Sequence, residues 1–183
     1  MRKRLRPAYT PEELRKVYAL PHRHAPWIDH RARVRFTVLL AEALMNDVTS
    51  GADLSCGDGA ILGAMRLKTR VFGDFAPGYE VTGPLEETLE TLEPVDIYVC
   101  SETIEHLDDP RAVLKQIRAK TGRLLLSTPV NAWNDTNPEH YWAWDRAEVE
   151  ALLASAGFTV SIYVALDMRP AGGDYCFGIW ACT

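Results

Sequence analysis

Four side chains in this sequence have the types and spacing to hold a cation or move a proton: Glu102, Glu105, His106 and His140. If Glu102-Thr103-Ile104-Glu105-His106 forms a helical turn, positions 102, 105 and 106 stand at i, i+3 and i+4 and share one face. Two carboxylates and an imidazole that close repel one another unless a cation joins them or they share protons. His140 lies in Glu139-His140-Tyr141-Trp142-Ala143-Trp144-Asp145-Arg146 and is the candidate fourth ligand. Two oxygens and two imidazoles suit Mg²⁺, Mn²⁺ or Zn²⁺ rather than a thiolate-preferring metal. Without a metal, His106 is the obvious general base. His22 and His24 form a second, weaker His-x-His pair.

A second constellation is Asp53-Leu54-Ser55-Cys56-Gly57-Asp58-Gly59, placed between a strand-like Gly51 to Ser55 and a helix pattern starting at Ala60. Small residues at 55, 57 and 59 let the backbone bend sharply and approach a ligand closely. The following helix start offers free N–H groups and a positive dipole end. The spacing does not meet the G-x-G-x-x-G dinucleotide fingerprint, so a nicotinamide cofactor is not expected.

This stretch resembles motif I of the class I S-adenosylmethionine methyltransferases, usually Asp-x-Gly-Cys-Gly-x-Gly. It matches through Asp53, Cys56, Gly57 and Gly59, with Ser55 where glycine is usual. The resemblance extends over about residues 31–182, and its motifs are specific for methyltransferase but not for substrate. It implies that Asp53 and Ser55–Gly59 hold the amino-acid part of S-adenosylmethionine. It further implies that Asp74, with Phe75 beside it, accepts the ribose hydroxyls, and that Leu85 and Glu86 meet the adenine. The Glu-x-x-Glu-His turn resembles that of the ubiquinone-synthesis O-methyltransferases and the plant small-RNA 2′-O-methyltransferases. In the latter, matching residues hold a cation. By that resemblance Glu102, Glu105, His106 and His140 form a metal site that prepares an acceptor hydroxyl. In the metal-free variant of the pattern, Glu102 orients the cofactor and His106 lines the pocket.

The elements that must position these residues follow from pattern. Thr10-Pro11-Glu12-Glu13 opens a helix with a capping box, expected to end near Leu20 at Pro21. Residues 22–30, with Trp27, form an irregular polar and aromatic segment that either closes over the substrate or packs as a surface loop. Arg31 to Met45 is an amphipathic helix ended by Asn46-Asp47. Strands are expected at Thr69 to Phe75, Pro94 to Ser101 and Arg123 to Ser127, and helices over Pro110 to Lys120 and Asp145 to Ala156. Phe158 to Leu166 and Tyr175 to Cys182 read as an antiparallel strand pair. Only Ala76-Pro77-Gly78 separate the second strand pattern from Tyr79 to Gly83. A parallel neighbour normally needs a crossover of about a dozen residues, so the third strand is expected to be reduced, displaced or antiparallel. The result is a Rossmann-like, doubly wound, mostly parallel α/β sheet with a C-terminal antiparallel pair, reduced around strands 2–3 and preceded by N-terminal helices. Ligands of such sheets sit beyond the carboxyl ends of the strands, which gathers 55–59, Asp74, 102–106 and the 128–145 loop at one crevice.

The 183 residues fit one domain, with 1–45 as a helical lid segment and 46–183 as the Rossmann-like core. No apolar run approaches a membrane span of ~20 residues, and the basic start is not followed by an apolar export core. Four cysteines without paired spacing suit a reducing, cytoplasmic setting. The net charge of −5 conceals ten Lys or Arg against three acids in residues 1–35, and ten against twenty-two in the remainder. The basic segment suits a phosphate or nucleic acid or is a solvated amphipathic helix with a basic tail, whereas the acidic body argues against a wrapped polyanion. The resemblance to the Glu-x-x-Glu-His O-methyltransferases implies an acceptor oxygen of a small molecule or terminal nucleotide, and the charge balance makes nucleic acid less favoured, with no membrane partner expected. The trimmed 75–83 region and Ser55 keep open a non-catalytic cofactor-binding module.

Overall fold

The computed structural model describes residues 1–20, 24–44 and 47–183. The first helix ends at Val17, short of the expected Leu20, while Pro21, His22 and the expected end of the second helix at Met45-Asn46 lie outside the described residues. In chain order the elements are β1 (Arg2–Arg4), α1 (Pro11–Val17), α2 (Ile28–Leu44), β2 (Ser50–Asp53), α3 (Ala60–Ala64), β3 (Thr69–Asp74), β4 (Val81–Thr82) and α4 (Leu85–Thr91). They continue with β5 (Ile97–Ser101), α5 (Pro110–Lys120), β6 (Leu124–Pro129), β7 (Trp142–Trp144), α6 (Arg146–Ala156), β8 (Val160–Asp167) and β9 (Cys176–Cys182). Single 3₁₀ turns cover Ile104–His106 and Arg169–Ala171.

Seven strands form one sheet in the order β4-β3-β2-β5-β6-β9-β8. Pairing is parallel from β4 to β6 and antiparallel on both sides of β9. The expected doubly wound sheet with a C-terminal antiparallel pair is what the chain builds. Strands β5 and β6 are buried throughout except at Ser101, as strands covered on both faces must be. One apolar layer joins Leu89, Leu114, Ile117 and Leu153 from α4, α5 and α6 to Tyr98, Leu124 and Leu126. The opposite layer joins Ala41, Ile61 and Leu62 from α2 and α3 to Ile97, Val99 and Leu125.

The reduced third strand is realised as β4, two residues long and parallel to β3, with Gly73 opposite Val81 and Asp74 opposite Thr82. A six-residue link suffices because the chain has to retreat by only one pair of residues before pairing again. Gly78 takes φ 130 in that link, a conformation open to glycine.

Two features were not anticipated. The basic start is not a free tail: β1 pairs antiparallel with β7, Arg2 opposite Trp144 and Arg4 opposite Trp142. The second helix begins at Ile28 rather than Arg31, which brings His30 into its first turn.

Candidate active site at the carboxyl edge of the sheet

The strand ends meet at a cleft of about 380 Å³. At its centre β2 runs into the elbow. Asp53 is buried, and its Oδ1 accepts the Ser55 N–H at 3.1 Å, turning the chain out of the sheet. Gly57 and Gly59 then take φ 56 and φ 70. The backbone angle calls for glycine at 57, and a Cβ there would also stand a tight 3.1 Å from His24 Nδ1. The elbow is tied to β3 from two sides. Cys56 N–H donates to Gly73 O at 3.0 Å, and Gly57 N–H donates to Asp74 Oδ2 at 2.7 Å. The other Asp74 oxygen accepts from Ala76 N–H at 2.9 Å. A carboxylate has roughly four acceptor sites, so Asp74 retains capacity for further hydroxyl donors.

Next to the elbow, Ser55 Oγ lies 2.8 Å from Thr103 Oγ1. This contact joins the glycine-rich turn to the segment after β5 and sets both at one edge of the sheet. Asp74, Phe75, Leu85 and Glu86 line the cleft on the β3 side, and Ser55, Cys56, Gly57, Glu102, His106 and His140 line it elsewhere. Gly59 is turned away, beneath Phe72 and Tyr79. Glu105 lies behind the wall, with 1% of its surface exposed.

The 102–106 segment corrects the expected helical turn. Glu102 takes φ 52, and the 3₁₀ turn begins only at Ile104. The Glu102 N–H donates to Ser127 O at 2.9 Å, extending the strand ladder by one residue before the chain leaves it. Glu102 therefore separates from the other candidate ligands. Its Oε1 accepts from Ser127 Oγ at 2.9 Å and lies 3.8 Å from Arg33 Nε. Among the described residues, one ligand atom each from Glu105, His106 and His140 lie within 4.8 Å of one another, without Glu102.

That trio sits in an unusual electrostatic setting. Burial, and then the charge of Glu102, push the Glu105 carboxyl up to about 8. Its Oε2 accepts from Thr128 Oγ1 at 2.9 Å, and its Oε1 is buried without a hydrogen bond. The rings of His106 and His140 meet edge to face at 4.7 Å. His140 Nδ1 is 2.6 Å from Asp135 Oδ2, and Asn137 Nδ2 lies 3.2 Å from Nε2. Burial works to lower the pKa of His140, but the Asp135 hydrogen bond and the charge of Glu105 outweigh it and raise it. A buried carboxylate oxygen without a donor beside two imidazoles is a donor set a divalent cation fits. Holding one would require Nε2 of His140 to leave Asn137.

Sequence reasoning missed Arg33, His30 and Asp135. Arg33 is buried and reaches Ser101 Oγ with Nη1 and His30 Nδ1 with Nη2 at 3.1 Å, while His30 Nε2 lies 3.0 Å from Asp58 Oδ2. The signal was present: His30, Arg33 and Thr37 recur at i, i+3 and i+7, a polar stripe on the inward face of a helix. His24 and Trp27 pack beside this stripe, their rings 5.0 Å apart and tilted by 54°.

A methyltransferase-domain family matches residues 22–161 of the chain. The chain belongs to that family. Solved structures agree in fold. The methyltransferase resembles magnesium protoporphyrin IX methyltransferase from Synechocystis, crystallised with S-adenosylhomocysteine, at 15% identity and TM-score 0.65 over 93% of this chain and 92% of that one. It resembles a Burkholderia thailandensis 1,6-didemethyltoxoflavin-N1-methyltransferase at 17% identity and TM-score 0.65, over 97% and 91%. A third similar structure is an S-adenosylmethionine-dependent methyltransferase from Leishmania major, at 16% identity and TM-score 0.68 over 94% and 80%. No curated protein sequence matches the chain. No helix of the described methyltransferase is long and apolar enough to cross a membrane.

Proposed function

We propose that this S-adenosylmethionine-dependent methyltransferase transfers its methyl group to an oxygen of a small molecule or a terminal nucleotide held between the elbow and His106. The carrying observation is the 2.8 Å contact between Ser55 and Thr103, which puts the cofactor turn and the candidate acceptor residues side by side. The bent backbone at Ser55–Gly57 receives the amino-acid part of the cofactor, and the buried Arg33 is suited to its carboxylate. Asp74, beside Phe75, takes the ribose hydroxyls, and Leu85 and Glu86 flank the adenine. When bound, S-adenosylmethionine would supply the electrophilic methyl group, its sulfur leaving as the neutral thioether of S-adenosylhomocysteine. The acceptor must therefore be aligned and lose its proton. His106 takes that proton, and the Asp135–His140 pair fixes the ring it packs against.

The small-molecule acceptor has two supports. Two similar structures are methyltransferases named for small molecules, magnesium protoporphyrin IX and 1,6-didemethyltoxoflavin. The basic segment that suited a nucleic acid is largely occupied: Arg4 bonds Asp108, Lys16 bonds Glu12, and Arg31 bonds the Ala25 and Pro26 carbonyls. Titration calorimetry with S-adenosylmethionine and S-adenosylhomocysteine tests the reading. Binding in the micromolar range is expected, and silence at millimolar cofactor sinks it.

A metal-assisted variant is favoured by the donorless Oε1 of Glu105 beside the two histidines. Glu105, His106 and His140 would hold the cation, which would supply acidification of the acceptor hydroxyl. In that case, melting in the presence of Mg²⁺, Mn²⁺ or Zn²⁺ rises above that in chelator, and the rise vanishes in Glu105→Gln. A melting curve indifferent to all three ions removes the metal and leaves the proton-transfer reading.

A further inference from the structure

Residues 2–9 precede the segment that matches the methyltransferase family, yet they make a dense set of contacts with the acceptor wall. Beyond the β1–β7 pairing, Leu5 N–H donates to Tyr141 O at 2.8 Å and Tyr9 N–H to the Tyr141 hydroxyl at 3.0 Å. Lys3 Nζ reaches Trp133 O at 3.1 Å. The guanidinium groups of Arg2 and Arg4 stack on Trp142 at 4.8 and 4.6 Å, and Arg4 Nη2 also bonds Asp108 Oδ1 at 2.7 Å. Arg6 Nη2 donates to the main-chain carbonyl of Asp135, and its Nη1 is buried without a hydrogen-bond partner.

What these residues grip is the least regular part of the acceptor wall. Between β6 and β7 the chain runs from residue 130 to 141 with no helix or strand. Its own backbone bonds are short turns, Asp135 N–H to Ala132 O and His140 N–H to Asn137 O. A stretch so built samples many conformations unless partners outside it hold it. Yet it carries Asp135 and His140, whose 2.6 Å contact must be kept for the imidazole to face His106.

We propose that residues 2–6 are a positioning strap for the acceptor loop, in which Arg6 holds the Asp135 main chain while the Tyr175 hydroxyl holds its carboxylate at 3.1 Å, so that the two together set His140. The assignment of a catalytic consequence rests on the proposed function above; the mechanical role of the strap does not. The strap brings backbone and side-chain donors to the loop together, and Arg6 commits a half-buried guanidinium, one nitrogen of it fully buried, to the Asp135 carbonyl.

The full chain carrying Arg6→Ala, Arg6→Lys or, as a milder probe of the same strap, Arg4→Ala is compared with the unaltered protein. Amide hydrogen exchange is read over 131–141, and the imidazole N–H signal of His140 is followed in histidine-labelled protein by NMR. In the unaltered protein the Nδ1–H bonded to Asp135 gives a protected, downfield resonance. Arg6→Ala is expected to speed exchange over 131–141 about tenfold, as expected for local opening, and to abolish that resonance, with Arg6→Lys restoring part of both. Exchange in β2 and β5 and the affinity for S-adenosylmethionine stay as they were. Unchanged exchange and an intact resonance in Arg6→Ala overturn the strap, as does acceleration spread evenly through β5 and β6. A protein that fails to bind cofactor in every form refutes the functional reading, while exchange and resonance still decide the strap.

Discussion

Asp53 occupies the end of a central strand with 3% of its surface exposed. Burial raises its pKa from 3.8 to about 7; the Ser55 amide works against that shift and the charge of Asp74 adds to it. The consequence for stability has a definite sign. Between those two values the unfolded chain has released the proton and the folded chain retains it, so stability falls as pH rises through the window. The effect is of the order of a few kcal/mol at most. Glu105, held up to about 8, contributes in the same direction, so a variant is needed to isolate Asp53. Asp53→Asn keeps an oxygen for the Ser55 N–H and removes the titration. Denaturant unfolding at pH 4, 5, 6 and 7 is expected to show a shallower decline in Asp53→Asn than in the unaltered protein; parallel declines would contradict the burial argument. At this scale the sequence indicated which residues line the cleft and little of how they are wired. The types at 53, 74, 106 and 140 were readable because spacing and strand ends constrain them. The Arg33–His30–Asp58 chain and the Asp135–His140 pair were not, because each depends on which way a side chain turns after folding.

Helices α5 and α6 carry the layer that supports β5 and β6, and both were legible from caps and apolar period. Asp109 Oδ1 accepts from the N–H groups of Arg111 and Ala112, both at 3.1 Å, ahead of Pro110 at the first helical position. Asp145 does the same for Glu148 N–H at 2.9 Å, and Gly157 closes α6 with φ 93. Asp109→Ala is expected to cost ~1 kcal/mol, the usual loss when a cap is removed, read as a lower urea midpoint with an unchanged slope. A change in slope would mean that the cap also governs how much of the chain unfolds together. Elements whose identity depends on a distant partner were harder to see. Arg2–Arg4 has no apolar alternation, and it becomes a strand only because Trp142–Trp144 supplies a backbone edge and two stacked guanidinium positions. The two-residue β4 falls below what any periodicity detects. The 102–106 turn was misjudged because i, i+3 and i+4 spacing assumes helical backbone from its first residue, and the left-handed Glu102 breaks that assumption.

Across the whole molecule, alternation of strand and helix patterns sufficed for the doubly wound sheet and for the edge at which ligands gather. The order of strands on the far side follows from a different fact. β9 lies between β6 and β8, its Trp180 opposite Leu126 on one side and Tyr163 on the other. Both neighbours are made before it. As the chain leaves the ribosome, β6 must wait with a bare edge, and β8 has no partner at all, until residue 182 has emerged. Pairing of this kind is long-range and late, and it leaves an apolar strand open to other nascent chains in the meantime. The half of the sheet that bears Ser127 and Thr128, and with them the footing of Glu102 and Glu105, is thus assembled last.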